Sequence, residues 1–205
     1  MHYSMIRALF IVLLLLCGTS HGATVLVLGD SLSASYGIAE QRGWISLLSG
    51  ELAPQHRIVN ASISGDTSGG GLARLPRLLE EYSPDFVLIE LGANDGLRGA
   101  PLGLIEKNIT QMIELCRRRG TQPLLFGMRI PANYGRRYSD GFANLYLAIA
   151  KRAEIPLMAF EFADIAATEG MIQRDGLHPT AAAQPMIKNR VKRFLKPILA
   201  VDEKL

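Results

Sequence analysis

Five short strand-like runs, most of them apolar, separated by helix-spaced segments constrain this chain more than any other feature. The runs are Thr24–Leu28, Arg57–Ala61, Phe86–Leu91, Leu124–Met128 and Pro156–Phe160. Apolar runs with little polar alternation suit strands buried on both faces. Between and after them, apolar residues recur at helical spacing. One helix is expected over Trp44–Leu52, and a second carries Leu72, Leu75, Leu78, Leu79 and Tyr82. A third carries Ile105, Ile109, Met112, Ile113 and Cys116, and closes on Arg117–Arg119 and Gly120. Cations in a last turn followed by glycine are favourable there. A fourth holds Phe142, Leu145, Tyr146 and Ile149, and the last holds Ile187, Val191, Phe194, Leu195 and Ile198. Strands alternating with helices predict an α/β fold with a parallel sheet covered on both faces. In such sheets functional groups gather on the loops at the C-terminal ends of the strands.

The N-terminus is different in kind. Arg7 precedes an unbroken apolar run, Ala8–Cys17, and a small, polar stretch, Gly18–Ala23, follows. This is the order of a secretory signal peptide. The run has ten residues, whereas a membrane span needs about 20; an uncleaved anchor is the alternative. Residues 1–23 are therefore read as a signal peptide and 24–205 as one domain, which places the protein in a periplasm or outside the cell. His21 leaves the cleavage position open by one or two residues. Leu16 before Cys17 does not fit a lipoprotein signal. Without the leader, Cys116 is the single cysteine, so no internal disulfide forms and no zinc-type Cys/His spacing exists. The net charge of +3 and the absence of a long basic run exclude a typical nucleic-acid binder. A monomer with no stable span after processing is expected.

Four loops carry polar residues that the fold does not need. They are Gly29-Asp30-Ser31-Leu32-Ser33, the stretch Ser62–Thr67 running into Gly69–Gly71, Gly92-Ala93-Asn94-Asp95-Gly96, and Asp175-Gly176-Leu177-His178-Pro179. Asp175 and His178, three apart around a glycine, can face one point from a single loop. A carboxylate there can hold the imidazole tautomer, and histidine suits proton transfer near neutral pH. Ser31, at the end of a buried strand, is either a nucleophile activated by such a base or a helix cap; Ser33 or Ser35 could be the cap instead. The N–H groups of Gly65 and Ser31 and the side-chain amide of Asn94 are suitable donors to an oxyanion. Turn geometry or loop bracing accounts for Gly65 and Asn94 otherwise.

Together, in this order, the four blocks resemble those of the SGNH (GDSL-type) hydrolases. The likeness runs from Thr24 to the last helix. It implies a flavodoxin-like three-layer α/β/α fold with a five-stranded parallel sheet. It implies Ser31 as nucleophile, His178 as base, Asp175 as its partner, and Gly65 and Asn94 in the oxyanion hole. No metal or organic cofactor is implied. The members most similar act on esters and thioesters of fatty acids, on lysophospholipids and on aryl esters, so the implied partner is a small-molecule or lipid ester. Sugar-ester hydrolysis within the same family is the alternative. Ile130 and Pro131, leading from the fourth strand, are expected to border the acyl groove.

The motif is not the G-x-S-x-G nucleophile elbow, because Ser33 stands at its fifth position. An open, shallow site is expected so near the chain start. Two other readings compete. Asp30, Asp66, Asp95 and Asp175 could form a carboxylate metal site for phosphoryl transfer. The glycines at 65 and 69–71 could hold an anion at a helix start, though no phosphate-loop Lys-Ser/Thr follows. Arg136 and Arg137 could meet a phosphate or coenzyme A, or form a solvated loop face. Met158 and Phe160 are read as core. Glu90, inside an apolar strand, needs a partner that the sequence does not name.

Overall fold

The computed structural model describes residues 22–159 and 162–202. The signal peptide expected over 1–23 lies outside them except for Gly22 and Ala23. Five strands alternate with helices: β1 (Thr24–Gly29), α1 (Trp44–Leu52), β2 (Arg57–Asn60), α2 (Ser68–Tyr82) and β3 (Phe86–Glu90). There follow a short α3 (Ala93–Leu97), α4 (Leu102–Arg118), β4 (Gln122–Phe126), α5 (Arg136–Ala153), β5 (Leu157–Met158), a short α6 (Ala163–Ala167) and α7 (Gln184–Asp202). The sheet has the order β2-β1-β3-β4-β5, and every pairing is parallel. Helix α1 packs against α7, while α2, α4 and α5 pack in series. With right-handed crossovers these two sets cover opposite faces. This is the three-layer α/β/α architecture that the alternation of elements predicts.

Burial follows strand position. All five residues of the central strand β3 are buried, whereas edge strand β2 is only half-buried. Trp44, Phe86, Phe126, Phe142 and Tyr146 are the largest fully buried side chains. Cys116 lies among them at 0% exposure, and burial pushes its thiol up to about 12, which makes it unreactive.

Strands β1, β2 and β3 end one residue away from the sequence expectation, and β4 and β5 differ more. Strand β4 begins at Gln122, whose N–H donates to the Asp85 carbonyl at 2.8 Å, rather than at Leu124. Pro123 is tolerated because the odd residues of β4 face β5. The first of those bonds is Leu125 N–H to the Pro156 carbonyl, so no ladder bond is due at Pro123. Strand β5 is reduced to Leu157 and Met158; Met158 is core, and Phe160 lies outside the described residues. The sequence also gave no sign of α3. Its entry depends on Gly92, with φ of +112°. A Cβ there would lie 2.3 Å from the Tyr146 hydroxyl, which donates to the Leu91 carbonyl at 2.9 Å. Helix α5 thus clamps the exit of β3.

This core predicts a sharp contrast between two leucines. Leu88 is fully buried in β3 and Leu147 is 55% exposed on α5. In urea unfolding, Leu88→Ala is expected to lower stability by about 3 kcal/mol, and Leu147→Ala by no more than about 0.5 kcal/mol.

Candidate active site

The residue after β1 begins a tight turn. The Asp30 Oδ1 atom accepts the Leu32 N–H at 3.1 Å, and the Asp30 carbonyl accepts the Ala34 N–H at 2.9 Å. No α-helix starts here, since α1 begins only at Trp44. The capping role open to Ser31 is therefore not used. Its hydroxyl instead faces the His178 Nε2 atom at 2.8 Å.

His178 comes from a small hairpin closed by the Ile172–Pro179 bridge and by the Gln173 N–H on the His178 carbonyl at 2.8 Å. Gly176 turns it with φ of +71°. Asp175 Oδ1 accepts the N–H groups of Leu177 and His178 at 2.9 and 3.0 Å, while Oδ2 meets His178 Nδ1 at 2.7 Å. The His178 N–H first, then its imidazole and the Leu177 N–H, pull the Asp175 carboxyl down to about 2. With Nδ1 donating to that carboxylate, Nε2 is left to accept the Ser31 proton.

Two supporting residues gave no sequence signal. Gln173 donates to the carbonyls of Tyr36 and Pro179 at 2.8 and 3.0 Å, tying the hairpin to the Ser31 loop. The Tyr36 ring lies 4.5 Å from that of His178. Neither follows from local spacing, because each depends on contact between loops far apart in the chain.

The oxyanion candidates face the same place. Gly65 has φ of +80°, and a Cβ there would meet nothing within 4 Å. Backbone conformation, not space, makes glycine suitable at this point. The N–H groups of Ser31 and Gly65 have no acceptor among the described residues. Asn94, in the first turn of α3, donates its amide to Asp30 Oδ2 at 3.1 Å and to the Asp66 carbonyl at 2.9 Å. Glu90 gains the partner that the sequence left unnamed: its Oε2 accepts the Asp30 N–H at 3.1 Å.

Ser31, Gly65, Asn94, Ile130, Pro131 and His178 all line one groove of about 1350 Å³. Leu97, Met128, Phe162, Ile165, Ile172 and Leu177 add apolar wall, with Arg129 and Arg190 among the polar lining. Asp175 stands behind His178 and does not line it. Arg136 and Arg137 border a separate depression with Tyr134, and Arg136 pairs with Asp140 at 3.6 Å.

The carboxylates weighed as a metal site do not converge. Among the described residues, no group of three or more His, Cys, Asp or Glu is placed to hold a metal ion. Asp95 accepts the Ser68 N–H and hydroxyl at 2.7 and 2.8 Å, Asp66 pairs with Arg74 at 2.8 Å, and Asp175 holds His178. Each has a separate structural partner, which leaves no shared point for a cation. The glycines of the second loop serve a cap, since the Thr67 side chain accepts the Gly70 N–H at 3.1 Å.

Residues 27–184 match the GDSL-like Lipase/Acylhydrolase family. The chain belongs to that family. It is 45% identical over 190 residues to Esterase TesA of Pseudomonas aeruginosa, covering 91% of this chain and 94% of that protein. To an arylesterase of Vibrio mimicus it is 44% identical over 196 residues, covering 93% and 98%. Among solved structures, the psychrotrophic esterase EstA from Pseudoalteromonas sp., in a form inhibited by monoethylphosphonate, superposes with a TM-score of 0.83. The two are 42% identical, with 87% of this chain and 99% of that chain covered. The two share one fold.

The depressed Asp175 carboxyl gives this family member a signed pH dependence. Its bonds stabilise the fold fully above the ordinary carboxylate range, near pH 4, and are lost as pH falls towards about 2. The thermal midpoint of the wild type is expected to fall more steeply between those pH values than that of Asp175→Asn. Parallel curves would show that these bonds carry no net stability.

Proposed function

We propose that the protein is a serine esterase acting on carboxylic esters and thioesters through an acyl-enzyme on Ser31. The carrying observation is the unbroken line from Ser31 Oγ through His178 to Asp175, at 2.8 and 2.7 Å, its first two members lining a largely apolar groove. His178 Nε2 removes the Ser31 proton as the oxygen attacks the acyl carbon. The imidazolium so formed is stabilised by Asp175, which stays ionised at neutral pH. The carbonyl oxygen becomes an oxyanion facing the N–H groups of Ser31 and Gly65 and the amide of Asn94. The same proton passes to the leaving alcohol or thiol as the tetrahedral intermediate collapses. Water, deprotonated by His178, then attacks the acyl-enzyme and releases the acid.

Ile130, Pro131, Phe162 and Ile165 would receive the acyl chain, since burying its methylenes removes apolar surface from water. That lining supports acyl esters, including aryl esters, lysophospholipids and acyl-CoA, over sugar esters. The names of the relatives, esterase and arylesterase, point the same way. Asn94 shares one of its N–H groups with the oxyanion as charge develops, because both have acceptors at rest. The protein would act as a monomer, in the periplasm or after secretion, as the leader-like N-terminus suggests. No described helix is long and apolar enough to cross a membrane.

Hydrolysis of a short p-nitrophenyl ester in the presence of a chelator tests the chemistry. Ser31→Ala and His178→Ala are each expected to lower kcat by at least about 10³-fold. Asn94→Ala is expected to lower it about 10²–10³-fold with little change in KM. A phosphonate ester should add to the wild type at Ser31, as mass spectrometry of the labelled peptide would show. Full activity in Ser31→Ala would sink the proposal.

A further inference from the structure

We propose that Glu90 is a positioning residue that holds the Asn94 amide in register with the nucleophile by way of Asp30. This rests on the reading of Asn94 as an oxyanion donor. Glu90 is 0% exposed at the end of an otherwise apolar strand. A carboxyl buried there costs the fold free energy that an apolar residue would not. It lies directly beside the end of β1, since Gly29 pairs with Glu90 across the sheet. A Cβ on Gly29 would fall 2.5 Å from Glu90 Oε2, 2.8 Å from Ser62 Oγ and 2.9 Å from the Ser33 Cβ. The carboxyl thus occupies space that only a glycine leaves open.

From there a chain of bonds runs to the oxyanion site. Glu90 Oε2 accepts the Asp30 N–H at 3.1 Å. Asp30, 2% exposed, then uses both carboxyl oxygens: one on the Leu32 N–H at 3.1 Å, the other on the Asn94 amide at 3.1 Å. One side chain therefore braces both the turn that carries Ser31 and the amide that faces it. Glu90 is the group that fixes that side chain's backbone. Burial raises both carboxyls, Glu90 the more strongly; the Asp30 charge pushes Glu90 up further, whereas the hydrogen bond from Glu90 draws Asp30 down. That favours a neutral Glu90 beside a charged Asp30, so a glutamine can replace the glutamate in shape and charge.

The experiment is a double-mutant cycle read by kcat and KM on a short p-nitrophenyl ester. Glu90→Gln should stay within about threefold of wild type, and Glu90→Leu should lower kcat about 30-fold with KM little changed, less than the loss of a whole oxyanion donor. In the Asn94→Ala background, Glu90→Leu should cost less than about threefold, because coupled residues are not additive. Equal losses in both backgrounds, or a change confined to KM, would overturn the role; Glu90 would then act on Ser31 or on the fold alone. If Glu90→Leu does not fold, Asp30→Asn tests the same chain. An amide offers one acceptor oxygen where the carboxylate offers two. Its kcat loss should vanish in Asn94→Ala, and a loss that persists there overturns the proposal. A wild type without Ser31-dependent hydrolysis would instead overturn the esterase reading, and this role with it.

Discussion

The parallel register of β1 beside β3 is the constraint on which the site depends. Pairing Gly29 with Glu90 brings the loop after each strand to the same level at one end of the sheet. The Ser31 turn and the Asn94 turn then stand side by side although they are far apart in the chain. A one-residue slip would turn every β1 side chain to the other face, and the Asp30–Asn94 bond could not form. The apolar mass of β3 opposes such a slip, since all five of its residues are buried.

On that platform the two halves of the site are built by different means. Buried Asp30 and half-buried Asn94 and Asp66 form a polar layer held by hydrogen bonds between loops. Asp175 and His178 form a local unit, in which one carboxylate satisfies two backbone N–H groups and the imidazole at once. Charge-assisted bonds of this kind are short and strong, and they keep the carboxylate ionised on a hairpin that is largely exposed. Gln173 and Tyr36 join the two halves. An exposed hairpin is thereby held against the end of a buried strand, which fixes His178 relative to Ser31.

Much of this was legible in the chain itself. Apolar runs marked the inner strands because a strand covered on both faces cannot show polar alternation; edge strand β2, half-buried, showed the signal less cleanly. The four polar loops stood out because nothing in the core explains them. Ser31, Gly65, Asn94, His178, Ile130 and Pro131 meet in one groove as their placement at strand ends suggested. Less legible were features created by contact. Pro123 hid the true start of β4, and its tolerance depends on where β5 begins. Ser31 as cap or reactive hydroxyl could not be told apart locally, because only His178, 147 residues away, separates them.

The sequence by itself determined the layer architecture and the residues available for chemistry. Periodicity and turn chemistry are local, and they act over a few residues at a time. Only the tertiary structure decided that four aspartates have separate partners and that one of them orients the histidine. It alone supplied a neighbour for Glu90, because that neighbour is the backbone of the turn that follows another strand. Distances between loops are set by sheet register and helix packing, which are sums over the whole core, and no single stretch of the chain contains them.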